Sequence, residues 1–250
     1  MAIIIFYFYY KKSINNIIKA KNEEIEEKEN IIQEHNYNGE IQLKHYFNSE
    51  INDDVGNYVY QIPSKGWYRI CVYGSKAEEG GKGGRQCAEH LFKNGSNITF
   101  YWEGQNSGGK GGKGCGFFGN GKGYNGGGLS KAEFGKEFLI IAGGGGGDSQ
   151  GKIKKGGDFI NDNNNRGIKR EINQNKGKNG GNKKEFLILC GGGGGNGYYG
   201  GNGGRYGKKK EVGGGEGGSN YCNPSFSHCF PGGINYLNYS GFEIFKKIKY

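Results

Sequence analysis

The sequence predicts a mainly β protein, a β-sandwich that carries packed glycine helices and is preceded by an N-terminal α-helix. Three features lead to this prediction. An apolar phrase ending in five glycines occurs twice, stretches of period-two alternation lie on either side of the two copies, and 54 of the 250 residues are glycine.

The repeated phrase defines the expected core. Residues 136–147 read Lys-Glu-Phe-Leu-Ile-Ile-Ala followed by five glycines, and residues 184–195 read Lys-Glu-Phe-Leu-Ile-Leu-Cys followed by five more. A short apolar run bounded by glycine is typical of a strand buried on both faces, and its recurrence marks an internal repeat. We expect both copies to be strands of the core.

The glycines themselves have two interpretations. Isolated runs behave as flexible spacers, and disordered spacers are therefore one alternative. Here each five-glycine run follows a predicted buried strand, and further clusters crowd residues 79–233. Because extended glycine segments can approach closely enough to hydrogen-bond laterally, we predict a bundle of three-fold, polyproline-like glycine helices resting on the sandwich.

The N-terminal stretch 1–12 is apolar up to Lys11. A membrane helix needs about 20 apolar residues, and a secretory signal carries its positive charge in front and a cleavage site behind. We interpret the stretch as a buried first strand or a gene-start remnant in preference to a signal peptide. No other stretch is predicted to span a bilayer.

Residues 13–35 have a helical pattern, with Ile18, Ile25 and Ile32 at seven-residue spacing. This apolar stripe could dock on the β domain or support self-association. The polar residues 36–57 are predicted to be a linker, and residues 58–250 form the glycine-rich β domain.

Within that domain, alternation predicts a hairpin of strands 58–62 and 67–74 around a turn at 63–66. A second strand pair is predicted at 86–92 and 97–103. The hydrophilic insert 148–183 is expected to be a mobile loop. The chain closes with a strand within 236–250, with Phe242 and Ile244 facing one way and basic residues opposite.

The net charge of +10 is unevenly distributed. Residues 1–55 carry 6 Lys/Arg and 10 Asp/Glu, whereas residues 56–250 carry 28 and 14. A basic excess among the glycines favours an anionic partner such as nucleic acid, acidic glycan, a lipid surface or an acidic protein. A solvated surface that aids solubility is the alternative.

Covalent modification is expected at cysteines and asparagines. Cys222 and Cys229 would close a small loop as a disulfide, while the pairing of four further candidates stays open because six cysteines allow 15 pairings. Those four candidates are Cys71, Cys87, Cys115 and Cys190. If the chain is secreted, the candidate N-glycosylation sites are Asn94, Asn97 and Asn238.

No catalytic, cofactor-binding or metal site is predicted. Gly114 to Gly119 match G-x-G-x-x-G, but matches arise by chance at this glycine density and no strand-turn-helix context follows. P-loop spacing and kinase motifs are absent, and the cysteines form no Cys-x-x-Cys pair. We therefore expect a chain that is not an enzyme, and the sequence does not identify its ligand-binding residues.

A family resemblance rests on the order of several phrases. These are Val-Tyr-Gln-Ile-Pro at 59–63, Trp-Tyr-Arg-Ile at 67–70, Gly-Gly-Lys-Gly-Gly at 80–84, Ile-Thr-Phe at 98–100 and Phe-Leu-Ile-Ile-Ala at 138–142. Together, over roughly residues 55–245, they resemble the extracellular glycine-rich region of the anaplastic lymphoma kinase and leukocyte tyrosine kinase receptors.

The resemblance implies a jelly-roll-like sandwich, similar to tumour necrosis factor modules, with packed polyglycine helices. It further implies a module at the cell surface that binds a protein ligand. Together with the basic charge, the cysteines and the missing catalytic motifs, it leads us to expect a non-catalytic, disulfide-bonded glycoprotein that binds a protein ligand or an acidic glycan. The receptors' ligands are basic, so this basic domain is not expected to bind the same ligand. The kinase domain is missing, and no enzymatic role carries over.

A second class of function stays open beside the receptor-like module. A basic, glycine-rich single-stranded nucleic-acid-binding or scaffold protein would fit the composition. A cytoplasmic location is compatible with this alternative, because the sequence has no convincing signal peptide.

Overall fold

Antiparallel strands dominate the part of the chain that the structure describes. This computed structural model describes residues 39–48, 55–115, 118–158, 177–183, 187–224, 228–237 and 239–247. The predicted N-terminal stretch 1–12 and helix 13–35 lie outside these residues.

The described elements are thirteen strands and a single 3-10 turn. In chain order they are β1 Gly39–Asn48, β2 Gly56–Gln61, β3 Gly66–Tyr73, β4 Gly84–Phe92, β5 Asn97–Trp102, β6 Lys113–Cys115, β7 Gly121–Lys122, β8 Ser130–Phe134, β9 Glu137–Ala142, the turn Gln150–Lys152, β10 Tyr221–Cys222, β11 His228–Cys229, β12 Gly233–Ile234 and β13 Tyr239–Lys247.

Two sheets and one small ladder accommodate these strands. The first sheet has the order β1-β13-β3-β4-β11, with β12 also pairing with β4. The second sheet has the order β10-β9-β8-β5-β2, and β6 and β7 form the separate ladder. A mainly β fold is therefore confirmed.

The inner faces of the two sheets share one apolar core. Phe100 of β5 stacks on Phe242 of β13, with ring centroids 3.9 Å apart. Ile70 of the first sheet and Leu139 of the second belong to the same buried cluster. Burial of branched and aromatic side chains from both sheets provides the main hydrophobic stabilisation of this sandwich.

The strands of both predicted hairpins are present, but the two strands of each hairpin do not pair with each other. The alternation correctly indicates β2 and β3, yet β2 pairs with β5 whereas β3 pairs with β4 and β13. The short turns after β2 and after β4 each carry the chain from one sheet to the other. Alternation shows which face of a strand is apolar, and in a sandwich the partner can lie in either sheet.

The polar stretch 36–57 is not simply a linker, because it contains β1. Leu43 packs against the main core, and His45 stacks on Phe242 with ring centroids 5.7 Å apart. On the other face, Lys44 and Tyr46 both contact the buried carboxylate of Glu243. Polar residues on the outward face hide this strand from a search for apolar runs.

The two copies of the repeated phrase differ in structure. The first copy forms β9, and Leu139, Ile140 and Ile141 are at most 1% exposed. The second copy is not a strand over its described residues 187–190, where only a bridge joins Leu189 to Gly207. Leu187 is 65% exposed and has φ of 61°. Over these described residues the prediction of a second core strand is wrong, because 187–190 join neither sheet.

Glycine-rich segments gather at one end of the sandwich. They follow β3, β5 and β9 and precede β4, β8 and β10, and these strand ends all lie on the same side. We call these segments the glycine layer, with described residues 74–84, 104–115, 118–129, 143–158, 177–183 and 187–220. The short turns at 62–65, 93–96 and 135–136 lie at the opposite end.

Backbone hydrogen bonds join the segments of the glycine layer laterally, with a register of three residues. Gly144 N donates to Asn196 O at 2.7 Å, and Gly147 N donates to Gly193 O at 2.8 Å. The same spacing recurs where Gly109 N donates to Gly194 O. The described glycine tracts are therefore hydrogen-bonded layers and not spacers.

The glycines of the second copy form the centre of this arrangement. Residues 191–197 are all buried. Tract 191–196 hydrogen-bonds to six surrounding tracts, 109–112, 124–127, 144–147, 178–181, 201–204 and 213–216. Side chains would not fit here, because a Cβ on Gly193 would meet the carbonyl of Gly109.

Buried polar side chains seal the junction between the layer and the sandwich. Asn196 donates to the Glu103 carboxylate at 2.6 Å, and Asn220 accepts from Gly143 N at 2.8 Å. The Ser75 hydroxyl accepts from Gly128 N at 2.9 Å. Asn196, Asn220 and Ser75 are each at most 3% exposed, so the hydrogen bonds satisfy side chains that would otherwise be costly to bury.

The predicted insert 148–183 joins the same layer at both described ends. Gly156 N donates to the buried carboxylate of Asp148 at 2.7 Å, and Gly157 N donates to Gly215 O at 2.8 Å. Gly177 N donates to the side chain of Asn196 at 2.8 Å. Residues 159–176 lie outside the described part of the chain.

Candidate interaction surface

The basic excess of the sequence is displayed on the glycine layer. The exposed basic residues of the layer are Lys82, Lys110, Lys113, Lys122, Lys152, Lys154, Lys155, Lys178, Lys183, Arg205, Lys208, Lys209 and Lys210. The exposed acidic residues of its described part are Asp158, Glu211 and Glu216. We call the basic set the lysine surface.

The backbone positions these lysines, because they alternate with glycines that pack inward. Lys110 O accepts from Gly180 N at 2.8 Å, and Lys178 O accepts from Gly194 N at 2.9 Å. Lys110 N in turn donates to the side chain of Asn179 at 2.8 Å. Fixing the backbone lowers the entropy that the surface would lose on binding, although the side chains keep their own freedom.

Lys122 and Lys152 of the lysine surface pair with carboxylates of the described part of the chain. Lys122 lies 3.5 Å from Glu78 and Lys152 lies 2.9 Å from Glu79. The hydrogen bond to Glu79 raises the pKa of Lys152, whose ammonium therefore stays charged throughout the neutral range. Exposed pairs of this kind contribute little to stability, and they leave a strong net positive charge on the layer.

Like charges oppose each other in the β6–β7 ladder, where Lys113 lies directly across from Lys122. Such a pair is unfavourable in isolation. Glu78, which lies 3.5 Å from Lys122, offsets part of this repulsion, and a bound anion beside the two ammonium groups would offset it further.

Three exposed apolar side chains lie around the Cys115–Cys190 disulfide. Phe118 is 82% exposed, Leu187 is 65% exposed and Tyr206 is 44% exposed. Phe118 lies in the β6–β7 turn three residues from Cys115, and Leu187 lies three residues before Cys190. Tyr206 adjoins Gly207, whose backbone bridges to Leu189.

All six cysteines form disulfides, in the pairs Cys71–Cys87, Cys115–Cys190 and Cys222–Cys229. The last is the pair suggested by the sequence, and it links β10 of one sheet to β11 of the other. Three disulfides are compatible with an extracellular or secreted domain. The other two pairs could not be chosen from the sequence, because all pairings satisfy the same count.

Two of the three candidate glycosylation sites lie away from the lysine surface. Asn94 and Asn97 are exposed at the β4–β5 turn, at the end of the sandwich opposite the glycine layer. Asn238 lies outside the described residues. Glycans at Asn94 or Asn97 would therefore leave the lysine surface uncovered.

The described residues assemble no metal site. No group of three or more His, Cys, Asp or Glu side chains in this part of the chain could hold a metal ion. His90 packs against Phe92 with centroids 4.6 Å apart, and His228 stacks on Trp67. Both histidines thus make aromatic packing contacts.

No helix within the described residues is long and apolar enough to cross a membrane.

Comparisons with known proteins identify no family for this chain. No protein-family model matches the sequence, and no curated protein matches it. The resemblance to the glycine-rich receptor region therefore stays a hypothesis that rests on the order of the phrases.

Proposed function

We propose that this chain is a non-catalytic binding module of the cell surface, related to the glycine-rich receptor region, which binds an acidic glycan or an acidic protein ligand. The observation that supports it is the lysine surface, where exposed basic residues greatly outnumber exposed acids on a layer held by its own backbone. Opposite charge on the ligand would steer association and fix its orientation.

The finer fold assignment belongs to the same proposal. The three-residue register of the lateral hydrogen bonds supports polyglycine helices, because polyproline-like helices have three residues per turn. Antiparallel strands that switch sheets at successive short turns support a jelly-roll-like sandwich. Both features are those expected from the receptor resemblance.

The extracellular setting is supported by the cysteines. Every cysteine of the chain is paired, and disulfides persist in oxidising compartments. Mass spectrometry of the alkylated, unreduced protein from its native cells should find no free thiol. Six alkylated thiols would contradict a cell-surface role and favour the intracellular alternative.

The binding test uses a sulfated glycan, heparin, against the full chain at a series of salt concentrations. We compare the unmodified protein with a Lys110→Gln/Lys178→Gln double variant and with a matched Lys65→Gln/Lys93→Gln control at the opposite end. Loss of two contacts should lower the slope of log affinity against log salt by roughly 1 to 2, and the control should leave it unchanged.

Three outcomes separate the candidate functions. Heparin binding weakened only by the Lys110/Lys178 double variant supports the proposal. Equal weakening by both double variants, or no binding at about 50 mM salt, would contradict a specific lysine surface. Single-stranded RNA bound more tightly than heparin at matched salt would favour the nucleic-acid alternative.

A further inference from the structure

One end of the glycine layer combines exposed apolar and basic side chains. We call the described residues 113–115, 118–122, 187–190 and 205–211 the tip. Its apolar members are Phe118, Leu187 and Tyr206, which are 82%, 65% and 44% exposed. Single exposed apolar residues are ordinary, but three on loops that are linked to one another need an explanation.

Covalent and hydrogen-bond links bring these loops together. Cys115 of the β6–β7 ladder is bonded to Cys190, whose Sγ also lies 3.4 Å from Gly121 O. Leu189 and Gly207 exchange backbone hydrogen bonds of 2.8 and 3.1 Å, which attaches the loop carrying Tyr206. The three apolar side chains are thus each within three residues of one linked cluster.

The same cluster is rigid beneath its surface. Gln150 N donates to Cys190 O at 2.9 Å, and the Gln150 side chain accepts from Cys190 N at 3.0 Å. Cys115 and Cys190 are fully buried. Because the loops are held by these links, the apolar side chains are presented without a large cost of ordering on binding.

Positive charge surrounds the apolar patch. The exposed basic residues of the tip are Lys113, Lys122, Arg205, Lys208, Lys209 and Lys210, and its one exposed acid among described residues is Glu211. The run of three lysines follows directly after Tyr206 and Gly207, in a turn closed by Glu211 N donating to Lys208 O at 2.8 Å.

The combination selects among anionic partners. A sulfated polymer would make favourable contacts only with the cations, because burial of Phe118 or Leu187 against it removes little apolar surface from water. A bilayer with acidic lipids would make favourable contacts with both the apolar and the basic side chains. The apolar side chains enter the boundary between headgroups and acyl chains, while the lysines remain among the anionic headgroups.

We propose that the tip docks on the surface of an anionic lipid bilayer, with Phe118, Leu187 and Tyr206 entering the interface and the surrounding lysines contacting acidic headgroups. The proposal goes beyond the proposed function, which names an acidic glycan or an acidic protein, and rests on it only for the anionic character of the partner. Docking would hold the glycine layer toward the membrane and the β4–β5 turn with Asn94 away from it.

The experiment measures binding of the full chain to vesicles by co-sedimentation. One set of vesicles contains phosphatidylcholine alone, and the other contains phosphatidylcholine with ~30% phosphatidylserine by mole. Binding should require the acidic lipid. A Lys208→Gln/Lys209→Gln/Lys210→Gln triple variant should bind about a hundredfold more weakly, at roughly fivefold per lysine. A Phe118→Ser/Leu187→Ser double variant should bind at least about tenfold more weakly.

Matched controls lie on the sandwich. The Val59→Ser/Leu91→Ser pair removes apolar side chains that are 54% and 44% exposed, and a Lys65→Gln/Lys93→Gln/Lys136→Gln triple removes the same charge. Neither control should change vesicle binding. Unfolding midpoints of all variants establish that each one is folded.

Hydrogen exchange on the vesicles locates the contact. Peptides covering 118–122 and 205–211 should be protected, and those covering 93–97 should not. Protection elsewhere with an unprotected tip would overturn the proposal, as would binding that ignores the Phe118/Leu187 substitutions. Heparin binding that persists when vesicle binding is absent would leave the proposed function standing and overturn the membrane contact alone.

Discussion

The two copies of the repeated phrase have nearly the same sequence and different structural roles. In the first copy Leu139 is 1% exposed within β9, whereas the corresponding Leu187 of the second copy is 65% exposed. The glycines that follow are equivalent, because both runs are buried in the glycine layer. A sequence phrase thus specifies a strand only where a neighbouring strand completes the ladder, while the glycine run packs wherever other glycine tracts surround it.

The largest expected effect comes from a single methyl group in either glycine run. Gly193→Ala would place a Cβ against the carbonyl of Gly109, and Gly145→Ala would place one against the carbonyl of Gly81. Both obstacles are backbone, so neither can rotate away. We expect each substitution to lower the free energy of unfolding by more than about 4 kcal/mol, as measured by urea denaturation.

Gly157→Ala is the matched control, because the nearest atom to its added Cβ would lie at 3.5 Å. That substitution should change the unfolding midpoint little. Equal tolerance at Gly145, Gly193 and Gly157 would contradict the close packing of the two runs, and tolerance at only one of Gly145 and Gly193 would contradict their equivalence.

The next largest effect concerns the residue that ends each apolar run. The first copy ends at the buried Ala142 of β9, and the second ends at Cys190, which is bonded to Cys115 across 75 residues. If this disulfide replaces the missing strand pairing, Cys115→Ala/Cys190→Ala should cost about 4 kcal/mol by the loop-closure model.

The short Cys222–Cys229 link offers the comparison, with a sequence separation of 7. Its removal as a Cys222→Ala/Cys229→Ala variant should cost about 2 kcal/mol by the same model. Cys229 is exposed whereas Cys115 and Cys190 are fully buried, so mild reductant should open Cys222–Cys229 first. Timed thiol alkylation with peptide mapping checks the order, and prior opening of Cys115–Cys190 would refute it.

A third test compares the two leucines directly. Leu139→Ala removes a buried side chain of the common core and should lower the free energy of unfolding by about 2 to 5 kcal/mol. Leu187→Ala should change it by no more than about 0.5 kcal/mol, because the side chain is largely in water. Similar losses at both positions in denaturant titrations would mean that the second copy also contributes to a core.

The sequence predicted which face of a strand is apolar better than it predicted which strands pair. The alternation in β3 and β13 shows which side chains are apolar, and Ile70 and Ile244 are indeed buried, but it does not reveal which sheet a strand joins. β1 was hidden because the residues on its outward face are polar. In each case the missing information is long-range, since strand pairing depends on residues far along the chain.

The composition of the interaction surface could be predicted from the sequence, but its arrangement in space could not. The run Lys208 to Lys210 is visible in the sequence, whereas its closeness to Phe118 depends on the Cys115–Cys190 bond. That bond is one choice among the 15 pairings that six cysteines allow. Exposure of Leu187 could not be expected either, because the identical local phrase is buried in β9.

The smallest expected effect concerns Glu137, the glutamate of the first copy, and its influence on the pKa of Tyr221. Tyr221 of β10 lies beside β9, and burial, together with the negative charge of Glu137, raises the pKa of its hydroxyl. The folded state therefore favours the neutral phenol. This contribution to stability is complete below the ordinary tyrosine pKa of about 10 and is lost as the pH rises through the raised value.

Glu137→Gln should move the titration of Tyr221 toward lower pH, as followed by NMR of labelled tyrosine rings assigned with Tyr221→Phe. An unchanged titration would show that Glu137 at the start of β9 does not raise the pKa of Tyr221, which burial and the nearby Tyr199 would then set.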